Sequence, residues 1–313
     1  MLTAPQVTLP EPPIPGVDIR LREFAHRLAK THEVDTAKVS RTKETTLLEY
    51  LESWELALRN AYAIFKAAPS KHLPDPSGRS SRAGEWMLDN FYIVKQTIRQ
   101  IEEDLPDSFL NELPKLNETS LQGHTRIFAL AREWIGYSQG QIDLTQAAIF
   151  IQDYQQVMPL TIGELWALPI MLRIGILERL VYATSELTGI EVPKSLSEIP
   201  IQFAVTLPND TVVANCFLSL RLLSATDWKD FFEETSRVEQ ILRNDPAQIY
   251  ADMDFDTRNN YRSVIEDLAR HSAFSEEQVA LTAVDFARNA KNESSTRKTH
   301  IGFYLIDAGR ATL

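Results

Sequence analysis

The stretch Thr161-Ile-Gly-Glu-Leu-Trp-Ala-Leu-Pro-Ile-Met-Leu-Arg-Ile-Gly-Ile-Leu-Glu-Arg-Leu-Val-Tyr-Ala-Thr-Ser-Glu-Leu-Thr-Gly189 decides the fold class. Thr161 and Glu164, three apart, have the spacing of a capping box, in which each side chain satisfies an orphan backbone N–H of the first helical turn. Leu165, Leu168, Leu172, Ile176, Leu180 and Ala183 then keep one apolar stripe at helical spacing. Pro169 falls about two turns in, where it removes a hydrogen bond and is expected to kink the helix. Gly189 and Pro193 end it. A membrane span is the obvious rival reading of so apolar a run. Such a span wants about 20 mostly apolar residues, and Arg173, Glu178 and Arg179 interrupt this one. An arginine at mid-bilayer costs at least ~2.5 kcal/mol. The stretch therefore reads as the buried core helix of a soluble, all-α protein.

The same period extends toward the N-terminus. Leu47, Leu51, Trp54, Leu58, Ala61 and Phe65 form one stripe, and Met87, Phe91, Val94, Ile98, Ile101 and Leu105 form another. The Pro69–Pro76 run between them predicts an antiparallel pair. Asp18 can cap an earlier helix with Leu21, Phe24, Ala25 and Leu28 on its apolar face. Its other faces carry Arg20, Arg22, Arg27 and Lys30, which either stay solvated or touch lipid headgroups or an acidic partner. Residues 1–17 hold five prolines, with no basic or apolar leader, and are expected to be a disordered tail. Residues 31–44 read as a polar linker and 106–120 as irregular. Helices are expected from about Gly123 to Tyr137 and after Asp143.

Toward the C-terminus, Pro193, Pro200 and Pro208 mark residues 190–208 as a connecting segment, with Ile201–Leu207 as extended loop. The predicted architecture is a multi-helix bundle of two lobes, 18–189 and 209–292, followed by a linker and C-terminal segment over 293–313. The second lobe is acidic. Its helices are drawn over 211–224, 227–243, 246–251, 257–272 and 276–290. Thr226, Asp245 before Pro246, Asp256, and Ser275 with Gln278 are the expected caps.

Composition narrows function by exclusion. The 313 residues hold 32 Lys+Arg against 43 Asp+Glu, a formal charge of −11. That balance opposes a general nucleic-acid binder, whose affinity comes from Lys/Arg neutralising phosphates. Eleven glycines is low against an average near 7%, leaving few positions for phosphate loops. The single cysteine, Cys216, excludes an internal disulfide and a cysteine zinc cluster, and fits a reducing compartment. It sits among Val212, Val213, Phe217 and Leu220 and reads as a buried small hydrophobe. The histidines, at 26, 32, 72, 124, 271 and 300, are too scattered for a metal site. Asp252, Asp254 and Asp256 alternate like the start of a calcium loop, but Thr257 and Ser263 stand where such a loop needs Gly and Glu. No nucleotide-binding or hydrolase motif is present. Carboxylate pairs for glycoside chemistry can be drawn from Glu233 with Glu234, Asp227 with Asp230, or Glu233 with Asp230. On an exposed helix such pairs are usually solvated surface. The residues alone assign no catalytic group, cofactor or metal.

Five ordered phrases add a resemblance. They are Glu85-Trp-Met-Leu-Asp-Asn-Phe91; Pro159-Leu-Thr-Ile-Gly-Glu-Leu-Trp-Ala-Leu-Pro-Ile-Met-Leu-Arg173; Asp227-Trp-Lys-Asp-Phe-Phe232; Asp245-Pro246 with Met253-Asp-Phe-Asp-Thr-Arg258 and Tyr261; and His300-Ile-Gly-Phe-Tyr-Leu-Ile-Asp-Ala-Gly-Arg310. From about Leu47 to Arg310 the chain resembles the N-terminal helical region of the bacterial cyclic β-1,2-glucan synthases, large inner-membrane enzymes. In that family the region precedes membrane-spanning helices, a glycosyltransferase module using UDP-glucose, and a phosphorylase-like module. The resemblance implies a non-catalytic part that serves assembly or regulation of the synthase. It carries over no catalytic, cofactor-binding or metal residue. It implies the transferase module as partner, in cis or in trans, and a place at the cytoplasmic side of the inner membrane reached through that partner. Candidate interaction residues are Trp166 and Arg173 on the proline-containing helix, and Tyr304, Asp307 and Arg310 near the end. Trp166 in the core and Arg173 paired with a local carboxylate is the structural alternative. Two other functions compete: a helical adaptor that grips a membrane partner through its basic first helix, and a carbohydrate-active enzyme using Glu233 and Asp230.

Overall fold

The computed structural model describes residues 19–34, 47–67, 79–117, 121–192, 207–290 and 296–313. The readings of 1–17 as a tail, most of 31–44 as a linker and 201–206 as extended loop lie outside them. Among the described residues are thirteen α-helices and no strand, so the all-α fold is borne out. The extended pairing present is two isolated bridges, Val34 with Leu116 and Lys115 with Thr125.

The decisive stretch is α7 (Ile162–Thr188). Thr161 Oγ1 accepts the Glu164 N–H at 3.2 Å, and Glu164 Oε2 accepts the Thr161 N–H at 2.9 Å, which completes the capping box. Gly189, at φ 73°, takes the left-handed turn that ends the helix. The predicted stripe is buried, but so are Met171, Ile174, Leu177 and Val181 on other faces. A helix apolar all round has to be packed all round. Here α5 (Arg126–Tyr137), α8 (Asn209–Ala225), α2 (Leu47–Ala67) and α3 (Arg79–Asp104) surround it. Each fully buried leucine or isoleucine contributes roughly 1.5–3 kcal/mol of transfer free energy.

The predicted pair α2 and α3 runs antiparallel. Tyr62 meets Phe91 at a ring separation of 4.7 Å, and Phe65 lies against Gly84, two turns earlier in α3. In α1 (Ile19–Thr31), Leu21, Phe24, Ala25 and Ala29 are buried while Arg20, Arg27 and Lys30 stay exposed. Phe24 stacks on Tyr137 at 5.0 Å and on Phe150 of α6 (Leu144–Gln155) at 5.7 Å. Although α8 follows the 190–208 segment, it packs on α3 and α7, with Phe217 stacked on Trp86 at 6.4 Å. Cys216 is fully buried, and desolvation pushes its thiol up to about 12, so it is the inert small hydrophobe expected.

Several local expectations are corrected. Residues 107–112, read as irregular, form α4 (Asp107–Glu112). The following helix begins at Arg126 rather than Gly123, because the Lys115–Thr125 bridge and the Arg126 N–H bond to Pro114 O hold the preceding backbone extended. The single helix drawn over 227–243 is two, α9 (Trp228–Thr235) and α10 (Arg237–Leu242). Ser236 breaks it by accepting the Glu239 N–H at 3.2 Å, and Asp227 rather than Thr226 caps α9. Residues 246–249 form turns and Tyr250–Asp252 a 3-10 turn instead of an α-helix, since the Asp245 carboxylate draws in the N–H groups of Ala247, Ile249 and Tyr250. Asp254, not Asp256, caps α11 (Phe255–Arg270). The last elements are α12 (Glu276–Ala290), opened by the predicted Ser275–Gln278 box, and α13 (Gly302–Leu305).

Candidate functional site

Where α7 meets α9, α10 and α11, a charged and aromatic cluster forms around Glu239. This carboxylate has no exposed surface and accepts Tyr250 Oη–H at 2.6 Å, Arg262 Nη1 at 2.7 Å and Arg243 Nε at 3.0 Å. Glu233 accepts Arg243 Nη2 at 2.9 Å and also a close bond from Arg258. The Arg262 guanidinium lies between the rings of Phe232 and Phe255, 4.9 and 4.6 Å from their centroids. A planar, weakly hydrated cation suits such a sandwich better than lysine would. Burial, then the neighbouring Glu239 carboxylate, pushes the Tyr250 hydroxyl well above its ordinary range, so it acts as a donor only. The cluster is a set of filled ion pairs that lock three short helices together.

Trp166 belongs to this cluster. Its indole stacks on Phe232 at 4.5 Å and stands edge-on to Phe255 at 6.0 Å. Arg173, two turns on, donates from Nη1 to Pro169 O at 3.2 Å and from Nη2 to Leu223 O at 3.0 Å. It thus ties the middle of α7 to the last turn of α8, through backbone carbonyls rather than a carboxylate. Burial lowers its pKa.

A second constellation surrounds Asp245, just after α10. Its Oδ2 accepts His300 Nδ1–H at 2.7 Å and its Oδ1 accepts the Ile301 N–H at 3.1 Å. His300 Nε2 meets the Tyr261 hydroxyl at 3.0 Å. Burial alone would raise the Asp245 carboxyl, but the bonds from His300, Ile301 and Ile249 outweigh it and hold it below the usual carboxylate range. The carboxylate, imidazole and phenol form a relay, with Tyr261 itself only 3% exposed.

The remaining candidates lie on the C-terminal segment. Tyr304 is buried and its hydroxyl donates to Phe286 O at 3.3 Å. Asp307 caps the closing 3-10 turn through the Ala308 N–H at 2.8 Å and pairs with Arg297. Arg310 reaches Asp267 Oδ2 of α11 at 3.0 Å. The structure therefore gathers Tyr304, Asp307 and Arg310 on one segment and leaves Trp166 and Arg173 on α7. Of the proposed carboxylate pair, Glu233 is engaged by two arginines and Asp230 is exposed on α9. Residues that pattern reading did not put forward for a site are Glu239, Asp245, Arg258, Tyr261, Arg262 and His300. Four of these, Asp245, Arg258, Tyr261 and His300, stand in the phrases that carry the family resemblance. Among the described residues no group of three or more His, Cys, Asp or Glu could hold a metal ion. Among them, too, no helix is long and apolar enough to cross a membrane.

No protein-family model matches the chain. Comparison with curated proteins gives a match to the cyclic beta-(1,2)-glucan synthase NdvB of Rhizobium meliloti (strain 1021). The chain is similar, at a distance, to that synthase. Identity is 25%, and the match covers 74% of this chain and 11% of that protein. The resemblance read from the five phrases is thus borne out. The chain spans far less than the length of the synthase it matches.

Proposed function

We propose that this chain is a non-catalytic helical module of a cyclic β-1,2-glucan synthase, serving assembly or regulation of the synthase rather than glucosyl transfer. The observation that carries the reading is the match itself: three quarters of this helical fold corresponds to about a tenth of a much larger synthase. The side chains support it. A glycoside-processing pair needs one carboxylic acid free to give its proton and a second carboxylate facing the same bond. Glu233 is instead neutralised by Arg243 and Arg258. The partner is the transferase module of such a synthase, in cis or in trans, and nearness to the inner membrane comes through that partner. On this reading Trp166 and Arg173 set the pose of α7 within the module, and the docking surface is formed by what they hold in place.

The test adds the purified chain to the transferase-containing remainder of a synthase. A stable complex, with glucan made from UDP-glucose only when the chain is present, is the expected result. Turnover of UDP-glucose or β-1,2-glucan by the chain alone, lost in Glu233→Gln, overturns the reading in favour of an enzyme. The adaptor reading has one observation behind it, the basic face of α1 left exposed at Arg20, Arg27 and Lys30. It predicts capture of a membrane protein unrelated to the synthase, abolished by charge reversal on α1.

A further inference from the structure

Residues 296–313 are tied to the body of the protein by one buried carboxylate as well as by apolar packing. Asp245, 3% exposed, uses both its oxygens to join two parts of the chain. Oδ2 accepts the N–H groups of Ile249 and Tyr250, at 3.1 and 3.2 Å, and also His300 Nδ1–H. Oδ1 accepts the Ile301 N–H. The other side of the imidazole is closed by Tyr261 of α11, and the fit there is tight: a Cβ on Gly302 would lie 2.3 Å from the Tyr261 hydroxyl. The outer tie to α11, Arg310 with Asp267, is about half exposed on both sides, and water screens such pairs heavily.

We propose that residues 296–313 form a releasable strap, clasped by Asp245 and able to lift from α11 and α12 while the rest of the bundle stays folded. The segment contains one helical turn, α13, between two 3-10 turns, so few backbone hydrogen bonds must open with it. Short elements with few backbone hydrogen bonds open at a lower free energy than the global fold. Its apolar anchor is Ile301 and Leu305, both fully buried, with Tyr304 packed on Phe286 of α12 at 5.5 Å. Lifting the strap uncovers that face. A charged acceptor of several N–H donors is worth about twice a neutral one, so the clasp is the main polar attachment of the strap.

The experiment is amide hydrogen exchange on the full chain, followed by mass spectrometry, for the wild type, Asp245→Asn and Gly302→Ala. Asparagine keeps the shape but loses one of the two acceptor oxygens, and alanine at 302 wedges the seat at Tyr261. In the wild type, exchange over 299–306 is expected to be at least ten-fold faster than in the centre of α7. Each variant is expected to speed it a further ten-fold or more, with α5 and α7 unchanged. The proposal is overturned if 299–306 in the wild type opens only together with α7. It is equally overturned if Gly302→Ala leaves the segment unchanged, a result that stands even should Asp245→Asn fail to fold.

Discussion

Arg132 of α5 and Glu178 of α7 form an ion pair at 2.8 Å in which neither side chain is more than 2% exposed. Gly175, one turn away on α7, lies so close to α5 that an added Cβ would sit 3.6 Å from the Arg132 backbone. A charged pair at such a closely packed crossing fixes how the two helices register. A second pair, Arg126 with Glu164, does the same at the start of both helices.

Breaking the first pair from one side strands a charge. Arg132→Met leaves the Glu178 carboxylate in a site where burial already pushes its pKa up and Arg132 opposes that push. The expected cost is about 3–5 kcal/mol, whereas the double change Arg132→Met with Glu178→Leu recovers most of it. Denaturant unfolding of the two single variants and the double variant measures this. A double variant as unstable as Arg132→Met alone would show that packing, not charge, holds the crossing.

His32, at the end of α1, is buried with Nδ1 2.8 Å from the Tyr154 hydroxyl. Desolvation, aided by the nearby Arg126 charge, lowers its pKa from 6.5 to about 4. The folded state therefore prefers neutral imidazole, and its contribution is fully present above pH 6.5. It is lost as the pH falls from 6.5 toward 4, by at most about 3 kcal/mol. His32→Asn should remove this rise of stability with pH from the profile. Equal slopes in variant and wild type between pH 6.5 and 4 would remove His32 as the cause.

What could be read from the chain was what is local. The two ends of α7 were legible because a capping box and a left-handed glycine lie within a few residues of what they satisfy. That α7 lies in the core was legible too, but which helices cover its other faces was not, since a period reports one stripe and α2, α3, α5 and α8 come from elsewhere in the chain. The break between α9 and α10 had a local sign, Ser236 three residues before Glu239, masked by the apolar spacing that runs through it. Asp245 was read as a helix start because Pro246 follows it. Its actual partners are His300 and Ile301, and no local pattern encodes a pairing over 55 residues. Likewise Trp166 and Arg173 were found, but their partners Phe232, Phe255 and the Leu223 carbonyl were out of reach.

Gly140 joins α5 to α6 at φ 77°, and its carbonyl accepts the Ser219 hydroxyl of α8 at 2.8 Å. A Cβ there would meet the Cys216 sulfur at 2.8 Å. Gly140→Ala should cost about 2–3 kcal/mol, from the left-handed backbone and the overlap together. Adding Cys216→Ala relieves the overlap but not the backbone, so the double variant should be about 1 kcal/mol better than the sum of the singles. Strict additivity in unfolding free energies would place the whole cost in the backbone.

Glu276, in the first turn of α12, accepts the Ile162 N–H at 2.7 Å and so joins the starts of α12 and α7. Burial raises its pKa from 4.5 to about 7; the bond from Ile162 opposes this, while Glu266 and Glu164 add to it. A raised folded-state pKa means that the folded protein prefers the protonated acid. Its contribution is fully present below pH 4.5, is lost as the pH rises to about 7, and is constant beyond. Glutamine keeps an acceptor for Ile162 and cannot ionise, so Glu276→Gln should match the wild type near pH 4.5 and exceed it in stability at pH 8. His32 works in the opposite direction over much of the same window, which partly hides both effects in the wild-type profile. The two variants separate them: with Glu276→Gln the midpoint of unfolding should rise between pH 4.5 and 6.5, and with His32→Asn it should fall. A Glu276→Gln protein no more stable than the wild type at pH 8 would show that the carboxylate is solvated in solution.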